Sequence, residues 1–340
     1  MKILGIETSC DETAAAVVQD GVKILSNVVV SQIDIFAEYG GVIPEVAARS
    51  HLEVMMPVVK KALTNAKCTW DDMDAIAVTH APGLLGSLLI GTLTARTLAI
   101  LYNKPLYAVH HLKSHVYANW LAGENPAFPL VALVVSGGHT QILYMPAHNQ
   151  FEIIGTTHDD AVGECFDKVA KILGLPYPGG PSIAKAAASG DAGKYKLPHP
   201  KVEGLDFSFS GLKTAVLRAV QKELGLPISH PSHDLKNHLS KKQVADFAAS
   251  FQKTAVEILC EKLALALEQH PDAQSVVIAG GVSANKALRE ALPEAYFPAP
   301  SLSGDNGAMV AAAAYYEIIS GVEPTDPYSL NIYPRISIEK

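Results

Sequence analysis

One pattern occurs twice in this sequence, and it limits the possible folds more than any other feature. The apolar run Lys2-Ile3-Leu4-Gly5-Ile6 enters a polar turn, Glu7-Thr8-Ser9-Cys10-Asp11-Glu12-Thr13, and leaves it as Ala14 to Val18. Leu130 to Val135 does the same through Ser136-Gly137-Gly138-His139-Thr140 and Gln141 to Tyr144. Each pair leads to a third short run, Ile24 to Val30 and Phe151 to Gly155. Short apolar runs bounded by polar turns read as buried strands. Helical periodicity follows each copy, over Glu45 to Ala66 and over Asp160 to Leu173. The first of these helices carries Val46, Leu52, Met55, Met56, Val59 and Leu63 at roughly helical spacing.

The expected architecture is therefore α/β, with duplicated lobes over residues 1–128 and 129–340 facing across a central cleft. A chain of 340 residues suits two such lobes. Two more strand–turn–helix crossovers occur, Ala75 to Thr79 into Ala81-Pro82-Gly83-Leu84, and Ser275 to Ala279 into Gly280-Gly281-Val282-Ser283-Ala284-Asn285. Helices that start just after glycines at strand ends are the α/β arrangement that binds anions and nucleotides. The segments Asp191 to Phe209 and Pro227 to Asn237 read as loop insertions on the second lobe, around 191–240.

Composition excludes several classes. Apolar residues make up 49% and charged residues 18%, so the chain is globular. It holds no uninterrupted apolar run of some 18 residues, which argues against a membrane partner. Glu7 comes too early for a secretory signal, and Cys10, Cys68, Cys165 and Cys260 are scattered without a C-x-x-C pair. Both point to a reducing, cytoplasmic location and against a disulfide framework or zinc knuckle. The net charge of −7 is no footprint of an autonomous nucleic-acid binder; an RNA partner would need a local basic patch or another subunit.

Several constellations carry chemistry. In Ser136-Gly137-Gly138-His139-Thr140 two glycines let backbone N–H groups approach a phosphate or carboxylate, though Gly-Gly also suits a type I′ or II′ hairpin turn. Gly280-Gly281 and Tyr177-Pro178-Gly179-Gly180-Pro181 supply two further glycine corners. In His110-His111-Leu112-Lys113-Ser114-His115, a helix starting there sets His111 and His115 one turn apart on one face, as one metal requires. No Glu follows His111, so the H-E-x-x-H protease base is missing. Asp305, on a glycine-flanked loop, is the best third ligand or else an ordinary helix cap. Two histidines and a carboxylate suit iron(II) or another first-row ion. Asp11 and Glu12 are paired carboxylates that orient a nucleophile, hold a cation near phosphates or are merely solvated. Asp167 can bond ribose hydroxyls or sit as an exposed helix charge. Leu205 to Thr214, alternating aromatic and hydroxyl residues, reads as a packing segment more than a nucleic-acid edge.

Together these segments resemble the TsaD family, the tRNA threonylcarbamoyladenosine transferases of the actin/Hsp70-like ATPase superfamily. The matching segments include Gly5 to Thr13, Ala81 to Leu84, His110 to His115, Val135 to Thr140, Asp167-Lys168, Pro178 to Pro181, Phe207 to Lys213, Gly280 to Asn285 and Asp305 to Met309, in family order over nearly the whole chain. The resemblance implies actin/Hsp70-like (ribonuclease H-like) lobes. It also implies transfer of a threonylcarbamoyl group from threonylcarbamoyl-adenylate to N6 of adenosine 37 in tRNAs reading codons that start with A, releasing AMP. His111, His115 and Asp305 would then hold one metal, Fe2+ by preference with Mg2+ or Zn2+ in its place. Val134, Val135, Ser136, Gly137, Gly138, Asp167, Gly180 and Asn285 would hold the adenylate, and Asp11 or Glu12 would take or position the amine proton. Implied partners are tRNA, a fold-related TsaB-type subunit and a small TsaE-type ATPase. The partner would pack on the helix Glu45 to Ala66, where Met55 and Val59 are the positions to charge. This chain departs from the family at Ala184, where many members carry an acidic ribose contact, and at Lys113-Ser114, where Glu-Gly is common. The competing readings are an actin-fold small-molecule kinase, with a carboxylate-built Mg2+ site, and a non-catalytic partner-type subunit, which would lack the two histidines and Asp305.

Overall fold

The computed structural model describes residues 1–123 and 125–339. The first sheet contains β1 (Lys2–Glu7), β2 (Glu12–Gln19), β3 (Lys23–Ser31), β4 (Ala75–Ala81) and β5 (Leu106–His110). Its order is β3-β2-β1-β4-β5, with β1, β2 and β3 antiparallel and β4 and β5 parallel to β1. Helices α1 (Ile33–Tyr39), α2 (Pro44–Ala66), α3 (Leu85–Tyr102) and α4 (His111–Tyr117) accompany it. The second sheet contains β6 (Leu130–Val135), β7 (Thr140–Met145), β8 (Glu152–Thr156) and β9 (Ser275–Ala279), ordered β8-β7-β6-β9 with the same directions. Its helices are α5 (Val162–Leu173), α6 (Gly179–Ala187), α7 (Ser210–Glu223), α8 (Lys241–Gln269) and α9 (Lys286–Ala291), and α10 (Gly307–Ile319) follows. The duplicated strand pattern is therefore real, with the fifth strand present in the first sheet alone among the described residues.

The strands have the composition that their positions require. Every residue of β6 is fully buried, because helices cover both faces of a central strand. At the edge, β3 turns Val29 and Val30 outward. Between the sheets lies α10, on which Ala308 and Ala311 to Ala314 are all buried. Small residues let it approach closely: a Cβ on Gly5 of β1 would stand 2.2 Å from the Gly307 carbonyl oxygen. One buried cluster runs from Ile3 and Val18 through α4 and α10 to Leu130, Val134 and Val277, so the sheets share a core. We propose the boundary near residue 128 for the sheets, with α10 returning to pack on β1 and β2.

Phe207 and Phe209 are fully buried and α7 starts at Ser210, so Leu205 to Thr214 is packing structure. The helix α3 has the length and mean hydropathy, 1.4 over 18 residues, of a membrane crossing. It nevertheless lies in the helical layer of the first sheet, against α2 and β4, and Gly91 on its inner face fits against Thr8.

Candidate functional site

His110 ends β5, and its Nδ1 accepts the Leu112 N–H at 3.2 Å, which caps α4. The helix therefore begins at His111, and His111 and His115 point inward one turn apart, both buried. Asp305 reaches them on the lead into α10. It is not that helix's cap: Asn306 accepts the Met309 N–H at 3.0 Å and donates to the carbonyls of Leu302 and Gly304. Asp305 is left free for the histidines. Its Oδ1 lies 3.1 Å from His115 Nε2 and 3.6 Å from His111 Nε2.

The donor set fits a metal ion. His115 is 1% exposed, yet neither ring nitrogen has a hydrogen-bond partner, so the 3.1 Å approach to Asp305 lacks hydrogen-bond geometry. Ligands bonded to one first-row ion at about 2.1 Å stand about 3.0–3.4 Å apart, close to these separations. A second trio, His230, Asp234 and His238, differs in kind. There both Nε2–H groups make true hydrogen bonds to Asp234 Oδ2, at 2.9 and 3.0 Å, which closes a loop clasp without need of an ion.

Glu7 completes the first cluster and was not foreseen. Fully buried at the end of β1, it accepts the Ser9 N–H and the Thr79 hydroxyl, both at 2.5 Å, and its Oε2 lies 3.2 Å from His111 Nδ1. A carboxylate on Nδ1 fixes the tautomer that presents Nε2 to a metal. Burial opposes charge on Glu7, but the His111 ring outweighs it and holds the carboxyl below its usual range. Burial also works against charge on His111, and Asp305 and Glu7 override it, pushing the ring up to about 9. The same pairing brings Asp305 down to about 2 against its burial. An ion that binds here takes the place of that proton.

Beside the cluster a cleft of about 720 Å³ opens between the lobes, bordered by His111 and Asp305. From the first lobe, Ser9, Cys10, Asp11 and Gly83 line it; from the second, Ser136, Gly137, Gly138 and His139, with Asp167, Lys168 and Lys171 of α5. Clefts of this size hold nucleotide-sized ligands. Neither Gly137 nor Gly138 has a left-handed backbone, which excludes the type I′ and II′ turns. A Cβ on either would meet nothing within 4 Å, so the backbone lies bare to the cleft. Gly163, beneath the loop, is a packing glycine instead: its Cβ would stand 2.5 Å from the Ser136 carbonyl oxygen.

The other expected residues are placed variously. Asp167 accepts the Gly179 N–H at 2.6 Å through Oδ1, and burial raises its pKa. Gly180 is open to a side chain but does not border the cleft. Asn285 is the N-cap of α9, accepting from Ala287 and Leu288, and donates to Gln252 at 3.0 Å; its side chain is engaged within the fold. Val134 and Val135 are buried strand residues. Asp11 is buried rather than solvated and faces the cleft. Burial, then the Asp305 and Asp11 carboxylates, push Glu12 up to about 10, and Ser31 donates to it at 3.1 Å. The lysines of the cleft wall, Lys168 and Lys171, were missed; a cation every three residues on a helix beside a glycine loop was the available signal.

Known proteins resemble this chain in sequence and in fold. Residues 23–312 match the TsaD family model, described as tRNA N6-adenosine threonylcarbamoyltransferase. Curated proteins of that name resemble the chain end to end. That of Symbiobacterium thermophilum is 49% identical over 99% of this chain and 96% of its own length. That of Thermomicrobium roseum is 48% identical over 95% and 93%. Among solved structures, HypF of T. kodakarensis gives a TM-score of 0.61 at 14% identity, covering 94% of this chain and 48% of that one. Component A of the Acidaminococcus fermentans (R)-2-hydroxyglutaryl-CoA dehydratase gives 0.51 at 16%, covering 94% and 99%. These two share the actin-like fold, and at such identities show nothing more. The chain, a transferase, belongs to the TsaD family of tRNA N6-adenosine threonylcarbamoyltransferases.

Proposed function

We propose that this chain transfers the threonylcarbamoyl group of threonylcarbamoyl-adenylate to N6 of adenosine 37 in tRNAs reading codons that start with A, releasing AMP. The observation that carries this reading is the meeting of a bare glycine loop with a buried His-His-Asp cluster on one cleft. An exocyclic adenine amine is a weak nucleophile, so the attacked carbonyl must be activated and its developing charge stabilised. The N–H groups of Gly137 and Gly138 would approach the anhydride and Lys171 its phosphate, while Lys168 is paired with Asp160 and Glu164 at 2.6 and 3.0 Å. Asp167 offers the oxygen not bonded to Gly179 to the ribose, a larger share given Ala184. Asp11 borders the cleft and Glu12 does not, so Asp11 is the carboxylate placed to take or position the amine proton. His111, His115 and Asp305 would hold one ion, Fe2+ by the donor set with Mg2+ or Zn2+ as substitutes, and a bound ion would supply Lewis acidity toward the carbonyl.

A fold-related TsaB-type subunit, a TsaE-type ATPase and a cytoplasmic location complete the proposal, because a net charge of −7 leaves RNA phosphates poorly neutralised by this chain alone. The helix predicted to receive the partner has two faces. Met55 and Val59 belong to the core, so charging them would unfold the lobe. Leu52 and Met56 are exposed, and Leu85, Leu89 and Leu93 of α3 continue the apolar surface. Leu52→Glu with Met56→Glu should abolish pull-down of the partner while circular dichroism stays unchanged. The reaction itself is tested by mass spectrometry of tRNA nucleosides after depletion of the protein. Loss of threonylcarbamoyladenosine is expected, and an undiminished level would refute the assignment.

A further inference from the structure

His51 is a fully buried histidine on α2, outside the metal cluster, with both ring nitrogens engaged. Its Nε2 lies 2.9 Å from the Cys10 carbonyl oxygen and its Nδ1 2.7 Å from the Thr13 hydroxyl. A carbonyl can only accept, so Nε2 carries the hydrogen and Nδ1 accepts from Thr13. The Gln32 amide nitrogen stands 3.5 Å from the same Nδ1 and donates to the Ala47 carbonyl of α2. Burial lowers the pKa of the ring, in keeping with that neutral tautomer.

These bonds bracket the two acidic residues of the turn. Asp11 and Glu12 lie between Cys10 and Thr13, the two residues that His51 ties to α2. Neighbouring carbonyls are held as well: Ser9 by the Leu84 N–H at 2.7 Å, Cys10 also by the Ser87 hydroxyl at 3.2 Å, and Asp11 by the Gln32 N–H at 3.0 Å. His51 is the tie that grips both arms of the turn.

We propose that His51 is a positioning residue for the transfer step, fixing Asp11 against the reacting centre by clamping Cys10 and Thr13 to α2. This rests on the role given above to Asp11. The next residue, Leu52, is 69% exposed on the outer face of the same helix, so whatever covers that face bears on the element that carries the clamp.

The test uses the full chain with the subunits it needs, as wild type, His51→Leu, His51→Gln and Thr13→Val. It measures kcat on tRNA, the affinity for threonylcarbamoyl-adenylate and the melting temperature. A turn displaced by about 1 Å should cost about 100-fold in kcat, with adenylate affinity retained, because Asp11 acts on the amine and not on the adenylate. In His51→Gln the amide can donate to Cys10 and accept from Thr13, and most of the rate should return. Thr13→Val, which removes one bond of the two, should fall between. An unchanged kcat in His51→Leu overturns the role. So does a parallel loss of adenylate affinity, or a His51→Gln no faster than His51→Leu at similar melting temperature. A wild type that transfers nothing would instead overturn the assigned reaction, and this role with it.

Discussion

The two turns that descend from the repeated strand pair have opposite characters. The β1–β2 turn presents side chains that are all at least partly buried: Glu7, Ser9 and Glu12 bond Thr79, His111 and Ser31, while Asp11 is held through its backbone carbonyl by the Gln32 N–H. The β6–β7 turn presents backbone, with two glycines whose Cβ positions are empty space. One architectural unit has thus become a source of carboxylates in one lobe and of N–H donors in the other. The proposed transfer calls for both, because an activated acyl group wants donors at its oxygen and an acceptor for the incoming proton. Duplication supplied the strands, and the residues at the strand ends divided the chemistry.

If this division is right, damage to each turn should be separable. The largest effect is expected for Asp305→Ala, which removes a ligand outright. Metal content by elemental analysis should fall to background, and transfer should drop by more than the about 100-fold that outer-shell changes reach. Metal retained at the wild-type level in His111→Ala/His115→Ala as well would end the metal reading. Gly137→Val comes next. Its side chain enters open space within the protein, so circular dichroism should not change. Calorimetry should show adenylate affinity about 100-fold weaker, equivalent to one or two charge-assisted hydrogen bonds, with metal content intact. A Gly137→Val protein that lost its metal would show that the turns are not independent. Glu7→Gln keeps the shape but removes the charge behind His111, and should weaken metal affinity about 10-fold.

The smallest effect on transfer, none, is expected at Glu317, a buried carboxyl on α10 remote from either turn. Burial pushes it up to about 7, with Lys113 opposing. The folded state therefore binds a proton that the unfolded chain has released, and stability falls as pH rises from about 4.5 towards 7. Glu317→Gln should remove that loss, worth on the order of 2–3 kcal/mol at pH 8 and almost nothing at pH 4. Denaturation curves at the two pH values check it, and equal gains at both would place the cause elsewhere.

The strand pairs and the one-turn histidine spacing were legible in the sequence because both depend on neighbours within a few residues. Long-range arrangements were less so. Asp305 could be nominated, but whether it or Asn306 capped α10 depended on which side chain the histidines claimed. Glu7 read as the polar end of an apolar strand, since its partners Thr79 and His111 are far away in the chain. The two faces of α2 show the limit of periodicity. Met55 and Met56 are adjacent and about 100° apart around the helix, so one faces the sheet and the other the surface. Composition alone gave no means of choosing between them.

The return of α10 to the first sheet has a consequence for how the protein is made. Of the three residues of the His111, His115 and Asp305 cluster, two emerge from the ribosome about a third of the way along the chain, and the last only near its end. Until α10 is synthesised, β1 and β2 lack the alanine face that covers Gly5, and the histidines lack their carboxylate. A nascent chain can therefore form much of both sheets before the His-His-Asp cluster is assembled, and that cluster is completed only as synthesis ends.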